Sequence, residues 1–292
     1  MQDGYTLTHE HMTIALSPGD LGTDSFDALC GDLRELYGWG VRRIVDLTNP
    51  TMGRDPDYTR RLSQATGIRI LNATGYYLEP DIPASVDRRS IQDLAAEALR
   101  ELRDGTAAVI GEIAWSPEPG PRERKTWEAM CLAARETGAP VFTHPSLGPQ
   151  QLLQAEYLIS RGVDPGRIVI GHIEFFPFDE ALRRVLETGV YIGLDMIGKD
   201  GPDRDEYRAD LVRTVIGWGY GDRLLLSTDL CRKRDLKACG GYGYGCLFRE
   251  FLPRLEKRGV TRQQMDLLLK ANPDRLLGPV GGGPGRPASL TT

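Results

Sequence analysis

The sequence predicts an α/β fold, an eight-stranded (β/α)8 TIM barrel. Three observations predict it. Eight short β-branched runs alternate with longer helical patterns, the mark of βα units on a parallel sheet. Glycine follows one helical pattern after another, at Gly67, Gly138, Gly162, Gly189, Gly219 and Gly259, as C-caps require. All four histidines and two acids close strand candidates, and barrels of this kind carry their active sites at the C-terminal ends of the strands.

The strand candidates are Tyr5–His11, Arg43–Leu47, Arg69–Ala73, Ala108–Glu112, Val141–His144, Ile168–His172, Val190–Leu194 and Leu224–Asp229. Between them run helical patterns. Ser25–Trp39 places Phe26, Leu29, Leu33, Leu36 and Tyr37 on one face, and Ser90–Arg103 does the same with Ile91, Leu94, Ala95, Ala98 and Leu102. The others are Asp57–Thr66, Glu123–Thr137, Pro149–Arg161, Asp179–Thr188, Arg204–Trp218 and Leu247–Arg258. A last helical piece, Arg262–Lys270, continues through Asn272-Pro273 to Leu277.

A 292-residue chain with 40% hydrophobic residues suits a single barrel domain over residues 1–277. The Gly- and Pro-rich stretch 278–292 reads as a disordered tail. A net charge of −5 argues against a nucleic-acid binder. The five cysteines are odd in number and scattered, with no Cys-x-x-Cys pair, and read as reduced thiols of a cytoplasmic protein. Cys231, Cys239 and Cys246 cluster loosely, at a spacing that fits no common zinc site. The first strand begins within ten residues of Met1, so no signal peptide is expected, and no apolar run is long enough to span a membrane.

Imidazole and carboxylate are ligands of zinc and its neighbours. His9 and His11, two apart on a strand, point the same way, into the barrel, while Glu10 between them points outward. Such a pair alone would also fit hydrogen-bonded core histidines. That reading leaves unexplained why the other two histidines, His144 and His172, end strands five and six, and why none lies on a helix. Glu112 on strand four can serve two cations with its two oxygens; alone it would fit a buried salt bridge. Asp229 at the end of strand eight can bind an ion and accept a proton, or merely anchor a loop. The assignment is His9, His11, Glu112 and Asp229 on one ion, and Glu112, His144 and His172 on the other, with zinc the first choice and manganese or cobalt the alternatives.

With these residues in place, the chain resembles the phosphotriesterase family of the amidohydrolase superfamily, closest to its phosphotriesterase homology protein branch. The resemblance runs from Gly4-Tyr5-Thr6-Leu7-Thr8-His9-Glu10-His11 to Asn272-Pro273. It is carried by Thr48-Asn49-x-x-Met52-Gly53-Arg54-Asp55, Ala73-Thr74-Gly75-Tyr76-Tyr77, Gly111-Glu112-Ile113, Thr143-His144, Gly171-His172, Ile197-Gly198-Lys199 and Leu236-Lys237-Ala238-x-Gly240-Gly241-Tyr242-Gly243-Tyr244. It implies a binuclear metallohydrolase in which a metal-bridging hydroxide attacks a carbonyl, Asp229 moves the proton, and glutamate replaces the carboxylated lysine that bridges the ions in the best-known members. Paraoxon-type relatives carry a histidine after the strand-seven aspartate; here Met196 follows Asp195, and Ile173-Glu174-Phe175 lacks their paired aspartates. A lactone or other carboxylic ester is therefore expected rather than an organophosphate.

The loop after strand eight has four cations between Arg232 and Lys237. Arg232, Lys233 and Lys237 are candidate anion-binding residues, with Tyr242, Tyr76 and Lys199 as further substrate contacts; a solvated charged loop is the alternative. Arg54, Tyr77 and Trp115 are placed on the same rim. Relatives with a similar loop act on sugar lactones, some phosphorylated, so the expected partner is an anionic small molecule, with a homodimer open to the chain. An N-acyl or amide hydrolase, a dehydrative cyclase and a non-catalytic metal-containing binding module are the competing readings.

Overall fold

The structure, a computed structural model, describes residues 4–16, 20–145, 150–175 and 180–279. Eight parallel strands follow one another around a nearly closed barrel in the order of the chain. They are β1 (Tyr5–Glu10), β2 (Val41–Asp46), β3 (Arg69–Thr74), β4 (Val109–Trp115), β5 (Val141–Pro145), β6 (Ile168–Ile170), β7 (Tyr191–Leu194) and β8 (Leu224–Leu226). No ladder is formed between β8 and β1; the Asp229 amide donates to His9 O at 3.1 Å across that seam.

The crossovers are α1 (Phe26–Gly38), α2 (Pro56–Thr66), α3 (Ile91–Asp104), α4 (Pro121–Thr137), α5 (Gln151–Ser160), α6 (Glu180–Glu187) and α7 (Pro202–Gly217). After β8 come a helical segment over Leu247–Lys257 and a second over Arg262–Leu277. Ser90 caps α3 with the reciprocal box that its sequence announces, its hydroxyl accepting from Asp93 N and the Asp93 carboxylate accepting from Ser90 N. The six helix-ending glycines all have φ between 67° and 91°. The expected starts at Pro149 and Asp179, and the tail from residue 280, lie outside the described residues.

Two cores result. The larger packs helices on the outside of the sheet. The smaller fills the lumen with Val45, Leu71, Val109, Phe142, Val169 and Leu225, and Leu276 of the C-terminal helix packs into it. The lumen below the site is thus filled with side chains.

Three strand ends differ from the sequence reading in a way that matters. β6 and β8 stop before their ligands, and His172 (φ 51°) and Asp229 (φ 44°) adopt left-handed turns. β4 runs three residues past Glu112, and a bulge in its pairing with β5 between Ile110 and Ile113 turns Glu112 inward. Gly111 allows this: its φ is 139°, and a Cβ there would stand 2.7 Å from Phe142 O.

Candidate metal centre and active site

The four histidines, Glu112 and Asp229 converge above the lumen core. His9 Nε2, His11 Nε2 and Asp229 Oδ1 form one group, with Asp229 Oδ1 3.8 Å from the first and 3.2 Å from the second. His144 Nδ1 lies 3.0 Å from His172 Nε2 and 3.1 Å from Glu112 Oε2, forming a second. Glu112 belongs to both: Oε2 is 3.3 Å from His9 Nε2 and 3.7 Å from His172 Nε2, and Oε1 is 3.7 Å from His11 Nε2. Lone-pair donors packed this closely repel unless a cation or proton lies between them. His9 Nε2 is buried without a hydrogen-bond partner among the described residues. The donor set and this orphaned nitrogen fit divalent metal ions: His9, His11 and Asp229 lie close enough together to hold one, and so do His9, Glu112 and His172.

Each ligand is held from behind. His9 Nδ1 donates to Asp195 Oδ2 at 2.9 Å and His172 Nδ1 to Asp195 Oδ1 at 2.7 Å. His11 Nδ1 meets Thr48 Oγ1 at 3.0 Å, and His144 Nε2 meets the Tyr77 hydroxyl at 3.2 Å. Asn49 donates to Glu112 O at 2.9 Å, tying the β4 bulge to the end of β2. Asp195, just past β7, was not among the residues read from the sequence as part of the site. Its signal was there: a carboxylate at a strand end, like Glu112 and Asp229.

Glu10 does point out of the lumen, but it is fully buried. Its carboxylate accepts from Ser227 Oγ, Thr228 N, Thr228 Oγ1 and Leu230 N at 2.6–3.1 Å. It thereby clamps the turn that presents Asp229. Burial pushes its pKa up to about 7, against the pull of these donors.

Electrostatics follow from burial and neighbours. Burial alone would raise the pKa of Asp229, but the Lys199 ammonium and the nearby histidines hold it well below the carboxylate range. Lys199 contacts Asp229 Oδ2 and lies 3.7 Å from Cys231 Sγ. Burial likewise opposes ionisation of Glu112 and Asp195, and the adjacent imidazoles overcome it. In return, although burial disfavours the charged ring, Asp195 raises His172 to about 9.

A cavity of about 490 Å³ opens over these groups. Leu16, Met52 and Met196 supply apolar wall, and Lys199, Arg232 and Arg234 line it together with Asp20, Asp200 and Asp235. Tyr242 lines it with a buried hydroxyl that has no partner among the described residues.

Several expected rim residues lie elsewhere. Lys233 is drawn outward to Asp24, and Lys237 to Glu35 at 2.9 Å; neither lines the cavity. Tyr76 points away from its neighbour Tyr77, into a separate cavity of about 240 Å³ beside Arg89 and Glu97. Arg54 is committed to a bidentate pair with Glu101 at 2.7 and 2.8 Å, and Trp115 packs on Trp127 and Tyr157. Among the described residues no helix is long and apolar enough to cross a membrane, and the five cysteines are free.

The model of the phosphotriesterase family matches residues 1–277. The phosphotriesterase homology protein of Escherichia coli (strain K12) is 35% identical over 283 residues, 93% of this chain and 97% of the relative. Its crystal structure, complexed with phosphate in the active site, superposes with a TM-score of 0.89 over 94% of this chain and 99% of that one, at 34% identity. A structure from the engineering of organophosphate hydrolysis on a weak promiscuous lactonase template gives 0.82 at 30% identity, covering 94% and 95%. The N-acetyltaurine hydrolase of Rattus norvegicus is 30% identical over 257 residues, 82% of this chain and 73% of the relative. A whole-chain match, an eight-stranded barrel and two metal-competent donor groups at its mouth identify a metal-dependent hydrolase, and the chain belongs to the phosphotriesterase family.

Proposed function

We propose that the chain hydrolyses a carboxylic ester, foremost a lactone, that carries an anionic group such as a phosphate. One observation carries the reading: two donor groups sharing Glu112 lie under a cavity whose wall holds Lys199 and Arg232. His9, His11, Glu112 and Asp229 would hold one divalent ion, and Glu112, His144 and His172 a second. When bound, such ions supply a water activated at neutral pH and Lewis-acid polarisation of the carbonyl. The protein's own groups do the rest. Asp229, ionised and turned by Lys199, takes the proton of the attacking water and passes it to the leaving oxygen. Arg232 offers a planar fork to a phosphate or carboxylate, and the Tyr242 hydroxyl donates to the bound substrate. The phosphate in the active site of the Escherichia coli relative supports the anionic group, and the lactonase template supports the ester.

A second reading, hydrolysis of an N-acyl amide with an anionic end, is favoured by the relative named N-acetyltaurine hydrolase. Turnover of matched lactones, esters, N-acyl amino sulfonates and phosphotriesters by the metal-loaded protein separates them. The ester reading predicts the largest kcat/KM for an anionic lactone; faster cleavage of the N-acyl compound, or of a phosphotriester, overturns it.

A further inference from the structure

Asp195 is the feature that the catalytic reading leaves unused. It is fully buried, and an ionised carboxylate is a pure acceptor, so the hydrogens toward it belong to the rings. Its Oδ2 takes the Nδ1 hydrogen of His9 at 2.9 Å and its Oδ1 that of His172 at 2.7 Å. The His172 amide adds a third donor at 3.1 Å. His9 stands with His11 and Asp229 and reaches Glu112 as well, while His172 stands with His144 and Glu112. A neutral imidazole has a single N–H. In the neutral form that binds an ion, committing it to Asp195 leaves Nε2 of both rings as the lone-pair atom, on the side of Glu112 at 3.3 and 3.7 Å.

From this geometry we infer that Asp195 is a positioning residue shared by the two ion sites: one carboxylate sets the ligand tautomer of a histidine in each, so uptake of both ions depends on it. The inference rests on the two-ion reading above. The other supports act on one group each. Thr48 meets His11 and Tyr77 meets His144, and a hydroxyl, able to donate or accept, does not impose a tautomer. Outer supports of this kind change metal affinity by about 10- to 100-fold. Asp195 differs in applying that effect twice.

The test is equilibrium dialysis of the chelator-stripped full chain against Co2+, with ions counted per chain and absorption recorded at each step. The wild type takes up two ions. Asp195→Ala weakens both steps by ~10-fold or more, whereas Thr48→Val weakens one. Asp195→Asn keeps shape and volume and covers the case in which the alanine variant does not fold. Its one oxygen serves one ring while its NH2 forces the other to accept, driving that ring's proton to Nε2, so one step weakens far more than the other. If the wild type binds two ions and Asp195→Ala leaves either step unchanged, or Asp195→Asn leaves both unchanged, the inference fails and the two-ion reading stands. A wild type that binds fewer than two ions overturns both.

Discussion

The Lys199 ammonium rests on Asp229 Oδ2 while Asp229 Oδ1 faces His11 Nε2 at 3.2 Å. One carboxylate is thus divided between the donor groups and a cation at the cavity wall. Asp229→Asn keeps the size of the side chain and removes the proton acceptor. Its kcat is expected to fall by ~10²-fold or more, with an unchanged far-UV spectrum and melting cooperativity; activity within a factor of a few of wild type would contradict the role.

The charged wall discriminates between cations that look alike in sequence. Arg232→Ala is expected to raise KM for an anionic lactone by ~10-fold or more, from the loss of a charge-assisted hydrogen bond, and to leave a neutral lactone within ~2-fold on the same grounds. Lys233→Ala and Lys237→Ala, whose ammoniums are held outside by Asp24 and Glu35, should change neither substrate's kinetics. Steady-state kinetics on the paired lactones decides it.

Glu10→Gln tests the clamp on the Asp229 turn. Glutamine cannot accept on both ends, so at least one buried donor among Ser227, Thr228 and Leu230 loses its partner. The expected cost is ~1–3 kcal/mol of stability, read from denaturant melts, together with a loss of kcat as Asp229 becomes less fixed.

The metal-free protein should respond to pH with a definite sign. His172 is raised to about 9, and His9 is raised as well, above an ordinary value of 6.5; burial opposes the charge, and Asp195, joined by Glu112 at His9 and by Asp229 at His172, outweighs it. The folded chain therefore binds these protons more tightly than the unfolded chain. The stability they contribute is fully present below pH 6.5 and is lost as pH rises through about 9. Melting temperature with chelator should fall across that window. Ion-loaded protein, with both Nε2 atoms engaged, should not show this fall, and loading at neutral pH should release protons.

The sequence makes the strand count and the six convergent side chains legible for a physical reason: strand runs are short and β-branched, and histidine is so rare here that its placement is informative. What stayed hidden depends on partners far away in the chain. Asp195 gains its role from His172, 23 residues off, and His9, 186 off. The charge run after β8 looked like one patch, yet Lys233 and Lys237 are turned out by Asp24 and Glu35, more than 200 residues earlier. Alternation sent Glu10 outward correctly, but its burial comes from the β8 turn folding over it. Tyr76 and Tyr77 are neighbours with opposite destinations, a choice fixed by the backbone after β3 that composition does not display.

On the proposed function, carbonyl hydrolysis needs two ions on these six side chains. Counting metal per chain by elemental analysis during stepwise reloading of chelated protein, with lactone turnover measured on the same samples, tests it most directly. The stripped protein is expected to show no turnover, and the protein with two ions per chain full turnover. Full turnover with no ion bound, or with two ions still bound after His9, Glu112 and His172 are replaced together by alanine, would contradict it.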